Sequence, residues 1–129
     1  MSARRGREAG AVMDAYLLPA CLVVAFFGWR WIACARGRRA ISQLQSTGAT
    51  IIDVRSPAEF RGGHVEGSLN IPLTELGYAT LNVGPEAWLI VCCASGTRSA
   101  IAKRILRRRG FGNVVNGGSW SNVARGISQ

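Results

Sequence analysis

Histidine and cysteine are scarce in this chain. Its 129 residues include one histidine and four cysteines, and no C-x-x-C pair occurs. A structural zinc site takes four such ligands at short spacings, so the pattern argues against a bound metal. Cys21 and Cys34 lie in or beside an apolar segment, and Cys92 and Cys93 are sequence neighbours. A disulfide between neighbours would distort the peptide, so we expect at least one free thiol, which is typical of a reducing compartment.

Acidic residues are also few. The chain has 7 Asp and Glu against 16 Lys and Arg, a formal net charge of +9 and a pI near 11.0. Such a balance can indicate nucleic-acid binding. However, many of the arginines flank or lie within one apolar segment, where membrane topology accounts for them, and no zinc-finger or RNA-binding motif accompanies the rest. We therefore expect no nucleic-acid partner.

That apolar segment, residues 15–35, contains a single charge, Arg30. Its residues would form roughly 31 Å of helix, about the thickness of a bilayer core. Arg30 lies near one end, from which its side chain can reach the headgroups, and Trp29 and Trp31 suit the interface. A helix that is apolar all round is too large for the remaining chain to enclose. The sequence therefore predicts a transmembrane helix over residues 15–35.

The flanks of the predicted helix bear on its retention and orientation. Ala33-Cys34-Ala35 has the small-x-small form of a signal-peptidase site, but the bulky residues before it favour an uncleaved anchor. Arginines are slightly more numerous after the segment than before it, which places the C-terminal part in the cytoplasm. We predict a single-pass protein of a bacterial inner membrane. Its parts are a basic tail (1–14), the transmembrane helix (15–35), a basic linker (36–39) and a folded domain (40–129).

The remainder of the chain alternates between helix and strand patterns. A capping box at Ser56, with Pro57 and Glu59, predicts a helix start. Solid apolar runs predict strands buried on both faces. The predicted strands are 50–54, 87–92 and 113–118, and the predicted helices are 40–47, 56–60, 73–81, 99–109 and 120–125. This order predicts an α/β domain with a small parallel sheet flanked by helices.

Cys93 follows the predicted strand 87–92 and precedes the predicted helix 99–109. In parallel sheets, sites form at this end of the strands. The backbone N–H groups of a tight loop, the helix dipole and Arg98 would all stabilise a thiolate, which predicts a reactive nucleophile. Cys92 should instead point into the core. The alternative for Cys93 is a small, buried apolar side chain without chemistry.

Three segments carry a family resemblance: DVRSPAEFRGGHVEGSLNIPL (53–73), CASGTRS (93–99) and GFGNVVNGGSW (110–120). In this order and spacing they resemble a rhodanese-like domain. The resemblance implies that Cys93 accepts a sulfane sulfur as a persulfide and passes it to a thiol, cyanide or other nucleophile, with no metal or organic cofactor. It implies a small sulfur donor as substrate and allows a protein acceptor. The implied active loop is Ala94, Ser95, Gly96, Thr97, Arg98 and Ser99, and the implied supporting residues are Asp53, Arg55, Glu59 and His64.

Two alternatives and one departure stay open at this point. The same fold serves as a binding or sensing module without turnover, which would be tethered to the membrane here. It also serves phosphatases and arsenate reductases, but those have a loop one residue longer between cysteine and arginine. Many single-domain members of the family carry a basic residue directly after the cysteine, where this chain has Ala94. That departure weakens the expectation that thiosulfate, a dianion, is the preferred donor.

Overall fold

The computed structural model describes residues 3–128, with side chains described at 16–32 and 38–128. The chain divides into two compact units, with the boundary between Arg36 and Gly37. The elements in chain order are α1 (Ala3–Ser46), β1 (Thr50–Asp53), α2 (Pro57–Arg61), β2 (Leu69–Asn70), β3 (Leu89–Cys93), α3 (Thr97–Arg108), β4 (Val114–Ser119) and α4 (Trp120–Ile127).

The first unit does not support the predicted transmembrane helix. Within the described residues, no helix combines the length and the apolar character needed to cross a bilayer. The predicted segment lies within the single long helix α1. It also contains Pro19 and Arg30. The side chains of the predicted tail 1–14 and of residues 15 and 33–35 lie outside the described residues.

The second unit begins within α1. Residues 36–39, predicted as a linker, are helical and continue into the predicted helix 40–47. Helix α1 ends at Ser46, just before Gly48, whose φ of +84° is in the left-handed region that favours glycine. Ile41 is buried beside α4. A Cβ at Gly126 of α4 would lie 3.2 Å from the carbonyl oxygen of Arg38, so glycine there permits close packing of the two helices.

The sheet has four strands in the order β2-β1-β3-β4, and every pair is parallel. This confirms the predicted α/β fold with a parallel sheet flanked by helices. Strand β3 is central and all five of its residues are buried, as its unbroken apolar sequence predicts. Strand β2 is not among the predicted strands, because two residues at an edge carry no period that a sequence can show.

Two apolar clusters cover the two faces of the sheet, because successive side chains of a strand point to opposite faces. One cluster joins the sheet to α3 and contains Val91, Cys93, Ala102 and Leu106 among its members. The other joins the sheet to α4 and the end of α1, and it contains Ile41, Ile51, Val65, Ile90, Cys92 and Val123. The neighbouring cysteines therefore belong to different cores.

The predicted helix at 73–81 is wrong: residues 73–78 form successive turns instead. Glu75 and Leu76 both donate their amides to the carbonyl of Pro72, and Tyr78 and Ala79 donate to that of Glu75, but these turns do not join into a continuous helix. The guanidinium of Arg109 donates to the carbonyls of Leu76 and Ala79, each at 2.7 Å. Those carbonyls are satisfied by a side chain from α3, so the segment does not need helical hydrogen bonds.

Candidate active site

Cys93 is the last residue of β3, and its side chain has no exposed surface. The chain then turns through Ala94 and Ser95 to Gly96, the N-cap of α3, whose φ is +103°. This left-handed conformation, which glycine adopts at little cost, turns the Gly96 amide back toward the sulfur. The N–H of Gly96 donates to Sγ of Cys93 at 2.9 Å. The loop therefore places a backbone donor on the thiol, as expected for an anion-holding site.

Ser99, on the first turn of α3, is the side chain that contacts the sulfur. Its Oγ lies 3.6 Å from Sγ of Cys93, 2.9 Å from the carbonyl oxygen of Gly96 and 2.7 Å from Oδ1 of Asn116. A hydroxyl has a single proton to donate. When it donates to Asn116 or Gly96, it is free to accept from a neutral Cys93 thiol. When the thiol ionises, the same proton can turn to the sulfur.

Asn116 of β4 holds this arrangement in place. Its Oδ1 accepts from the Gly118 amide at 2.9 Å, which fixes the orientation of the side-chain amide. Its Nδ2 then donates to the carbonyl of Gly96 at 3.3 Å. That carbonyl keeps a donor even when the Ser99 hydroxyl turns away. Asn116 therefore connects β4 to both the loop and the first turn of α3.

The two cysteines differ in acidity. Burial raises the pKa of Cys93, but hydrogen bonds from Ser99 and from the backbone at Gly96 and Ser95 outweigh it, and the net pKa is lowered. Burial, followed by the charge of Asp53, raises the pKa of Cys92 to about 12. At neutral pH Cys92 is a protonated core residue, whereas Cys93 has the greater thiolate character.

Arg98 is paired with a carboxylate of α2. Its guanidinium forms a bidentate ion pair with Glu59, with Nη1–Oε2 at 2.8 Å and Nη2–Oε1 at 2.9 Å. Both side chains are partly open to solvent, at 37% and 39% exposure. Its pKa is raised, first by the hydrogen bonds with Glu59, and the charge of Cys93 adds to the effect. Arg98 thus connects the first turn of α3 to α2, and its stabilisation of the thiolate stays a prediction.

Glu59 is held in place by the capping box of α2. Its Oε2 accepts from the Ser56 amide at 3.0 Å, and the Ser56 Oγ accepts from the Glu59 amide at 3.2 Å. These contacts confirm the capping box that the sequence predicts. The hydrogen bonds from Arg98 and Ser56 keep the pKa of Glu59 far below its ordinary value. The carboxylate that faces Arg98 is therefore ionised at any physiological pH.

Sequence comparison identifies the domain. The sequence model described as "Rhodanese-like domain" matches residues 38–124. The chain belongs to the rhodanese-like domain family. It is 36% identical over 75 residues to thiosulfate sulfurtransferase PspE of Escherichia coli, covering 57% of this chain and 72% of that protein. It is 37% identical over 68 residues to the uncharacterized protein YqhL of Bacillus subtilis, covering 53% of this chain and 54%, about half, of that relative.

Solved rhodanese structures show the same fold. A rhodanese with anions from E. coli matches with a TM-score of 0.56 at 35% identity, covering 60% of this chain and 93% of that one. The human single-domain sulfurtransferase TSTD1 matches with a TM-score of 0.52 at 29% identity, covering 60% of this chain and 82% of that one. The rhodanese-like fold is therefore common to this chain and to these proteins.

Asp53 and Arg55 brace the rhodanese-like domain rather than contacting the sulfur. Both are buried, and their ion pair has an Nη2–Oδ2 distance of 2.7 Å. Arg55 Nη2 also donates to the carbonyl of Gly63 at 2.6 Å, and the guanidinium lies 4.9 Å from the centroid of the Trp120 ring. The pair thus joins the end of β1 to the loop after α2 and to the start of α4.

His64 is exposed and lies against α2. Its Nδ1 donates to the carbonyl oxygen of Phe60 at 2.9 Å, because a carbonyl can only accept. The imidazole also stacks on the Phe60 ring, with centroids 3.8 Å apart. The structure therefore gives His64 a local partner, and none of its hydrogen bonds among the described residues reaches Cys93.

Two glycines of β4 allow the loop and sheet to approach closely. The pairing of β3 with β4 shifts between Val91 and Cys92, which leaves Gly117 in a bulge. A Cβ at Gly117 would lie 2.6 Å from Val123 Cγ2. Gly118 faces the loop, since a Cβ at Gly96 would lie 3.4 Å from the Gly118 Cα.

The sequence prediction missed Asn116 as a site residue. Asn116 lies within the third resemblance segment, but nothing in its local pattern shows that β4 runs beside the loop after β3. The neighbouring glycines are a usable signal, because they indicate a close backbone approach. Among the described residues, no group of three or more His, Cys, Asp or Glu could hold a metal ion.

Proposed function

We propose that this rhodanese-like chain is a sulfurtransferase or persulfide carrier that uses Cys93. The observation that carries the proposal is the 2.9 Å hydrogen bond from the Gly96 amide to Sγ of Cys93. An amide aimed at the sulfur stabilises charge on it both before and after sulfur transfer. The lowered pKa of Cys93 and the similarity to the thiosulfate sulfurtransferase PspE of E. coli support the same chemistry.

The reaction conserves atoms and charge in two steps. The Cys93 thiolate attacks the outer sulfur of a donor; the new S–S bond forms as the donor's bond to that sulfur breaks, and the leaving group departs with the electron pair. A nucleophilic acceptor, such as a thiolate or cyanide, then attacks the outer sulfur of the persulfide and releases the Cys93 thiolate. The loop amides and the Ser99 hydroxyl hold the negative charge in both states, and the steps require no metal or organic cofactor.

Access to the sulfur has a structural condition. Cys93 has no exposed surface, whereas Ala94, Ser95 and Thr97 in the loop above it are exposed. A donor therefore reaches the sulfur only when this loop shifts. A small inorganic or organic donor requires less movement than a folded protein, whereas a protein acceptor would have to take the sulfur from an opened loop.

The test is persulfide formation on the full-length chain. The protein is incubated with thiosulfate or mercaptopyruvate, and its intact mass is measured. We expect a gain of about 32 Da, one sulfur, that cyanide removes. Cys93→Ser should abolish the gain, whereas Cys92→Ser, the matched control, should keep it. An adduct that persists in Cys93→Ser would contradict the proposal.

Assays on the same purified protein distinguish two other functions from sulfur transfer. A binding or sensing module would gain no sulfur from any donor, or would hold it without passing it to cyanide or thiols. A phosphatase would hydrolyse p-nitrophenyl phosphate. The four residues between Cys93 and Arg98 and the engagement of Arg98 by Glu59 both speak against a site for a phosphate group.

The location of the chain stays a prediction. The sequence favours a single-pass inner-membrane protein whose domain faces the cytoplasm, although no described helix is long and apolar enough to span. The observation in favour of membrane attachment is that apolar side chains in residues 16–32, including Phe27, Trp29 and Trp31, are exposed. Carbonate extraction of membranes tests attachment. An alkaline phosphatase fused after Gln129 tests the side, and activity of that reporter would contradict the cytoplasmic assignment.

A further inference from the structure

Among the described residues, two arginines form ion pairs. Arg55 is paired with Asp53 inside the domain, and Arg98 is paired with Glu59 at its surface. Arg98 lies on the first turn of α3, directly after the loop whose Gly96 amide donates to the sulfur. Arg98 is thus a cation beside the active loop, and the Glu59 carboxylate is already paired with it.

The geometry of this contact resembles anion recognition. Both oxygens of Glu59 meet the two terminal nitrogens of Arg98, at 2.8 and 2.9 Å, the fork by which arginine also binds sulfonate and phosphate groups. A donor that ends in such a group competes for the same two nitrogens when it binds Arg98. It must therefore displace Glu59, whereas a donor of lower charge depends less on them.

The position of Glu59 is fixed from its own side as well. Its Oε2 also accepts from the Ser56 amide at 3.0 Å, within the capping box that begins α2. The Glu59 side chain is therefore already ordered before it pairs with Arg98. This reduces the loss of side-chain entropy that weakens most exposed ion pairs.

We propose that Glu59 is a specificity-determining residue that competes with the donor for Arg98 and so disfavours dianionic sulfur donors relative to monoanionic ones. This inference rests on the proposed sulfurtransferase function. Thiosulfate, the dianion, transfers its outer sulfur to the Cys93 thiolate and leaves as sulfite. An alkanethiosulfonate, the monoanion, transfers the same sulfur and leaves as sulfinate. The two donors therefore undergo the same reaction at Cys93 and differ in net charge, so their kinetics show the effect of donor charge.

The first experiment measures KM and kcat for thiosulfate and for methanethiosulfonate, with cyanide as acceptor. The variant is Glu59→Gln, whose amide oxygen can still accept from Ser56. The KM for thiosulfate should fall about two- to fivefold, the range that the free energy of an exposed ion pair gives, and the KM for methanethiosulfonate should fall less. Equal changes for the two donors, or an unchanged or higher KM for thiosulfate, would overturn the proposal.

Two control variants separate charge from structure. Glu75→Gln removes the same charge at an exposed position that has no ion pair among the described residues, and it should leave the ratio of the two KM values unchanged. Ser56→Ala breaks the capping box but keeps Arg98 and Glu59. If Ser56→Ala lowers the KM for thiosulfate as much as Glu59→Gln does, a loosened α2 is the cause and the proposal is wrong.

A second readout does not depend on sulfur transfer. Cys93 is alkylated with iodoacetate, an anion, and with iodoacetamide, its neutral counterpart, and the ratio of the two rates is taken for each protein. Any change in the acidity of the thiol affects both reagents equally and cancels. The ratio should rise by up to about twofold in Glu59→Gln, less than the change expected for the dianion thiosulfate, and not in Glu75→Gln. A ratio unchanged by Glu59→Gln overturns the inference even if no donor forms a persulfide, so this failure is distinct from failure of the proposed function.

Discussion

The amide of Gly96 donates to the sulfur of Cys93 at 2.9 Å, across a tight loop formed by Ala94 and Ser95. The contact depends on the left-handed φ of Gly96, and the carbonyl of the same residue is held by Asn116. Donor and sulfur are thus positioned by the loop, by the first turn of α3 and by β4 together. The acidity of Cys93 is a property of this packing, and it can be tested by changing one partner at a time.

Removal of the Ser99 hydroxyl should make Cys93 less reactive. Ser99→Ala deletes a hydrogen bond that lowers the pKa of Cys93, so a smaller fraction is thiolate at neutral pH. The rate of iodoacetamide labelling at pH 7 should fall about two- to tenfold, the equivalent of one neutral hydrogen bond. The pH at which labelling reaches half its maximum rate should rise. Ser99→Thr keeps the hydroxyl and should restore the profile, and a profile unaffected by Ser99→Ala would show that Ser99 does not contact the thiolate.

The Cys92 thiol should make stability depend on alkaline pH. Its pKa is raised to about 12 in the folded chain, whereas an unfolded cysteine titrates near 8.5. Below about pH 8.5 both states hold the proton, and its contribution to the free energy of unfolding is constant. Between about 8.5 and 12 only the unfolded state loses it, so stability falls by up to ~1.4 kcal/mol per pH unit.

Cys92→Ala is the comparison that isolates this effect. At pH 7 the variant should lose about 1 to 3 kcal/mol for a truncated core side chain. Urea denaturation at pH 7, 9 and 10 should show that the difference in the free energy of unfolding between wild type and variant shrinks as pH rises. Lysine and tyrosine titrate in both proteins, so their effects cancel in this difference. A constant difference across this range would contradict the burial of Cys92 as a neutral thiol.

An alanine at Gly117 should destabilise the domain. The added Cβ would lie 2.6 Å from Val123 and 3.1 Å from Ile90, so α4 must shift away from the sheet. We expect a loss of about 1 to 3 kcal/mol in the free energy of unfolding, measured by urea denaturation. Gly112→Ala is the control, because a Cβ there meets no atom within 4 Å, and it should change stability by less than about 0.5 kcal/mol. Equal effects at the two sites would contradict the tight packing at the bulge.

Loss of the Asp53 charge should be costly. Asp53→Asn leaves the Arg55 guanidinium, which is 5% exposed, without its carboxylate partner. Breaking a buried pair in this way costs about 3 to 5 kcal/mol. Denaturant unfolding should show this loss, and Asp53→Asn with Arg55→Met should recover part of it. Glu59→Gln, which breaks the exposed pair instead, should have a much smaller effect. If the two single variants are equally mild, the buried pair does not brace the domain.

The prediction of local features was accurate where a few neighbouring residues decide them. The capping box of Ser56 and Glu59 and the end of α1 before Gly48 follow from backbone groups that the nearest residues satisfy. The parallel sheet also followed from local patterns, because strands buried on both faces need long apolar runs. The helix at 73–81 failed because Arg109, distant in sequence, satisfies the carbonyls of that segment.

The sequence by itself determined the α/β order, the core position of Cys92 and the loop that follows β3. These depend on strand period and on the order of apolar runs, which the chain carries locally. Only the tertiary structure decided that Arg98 turns to Glu59, that Asn116 holds Ser99 and Gly96, and that Arg55 spans from Asp53 to Gly63. Each of these contacts joins residues whose distance is set by how strands and helices pack, and a linear pattern contains no measure of that distance.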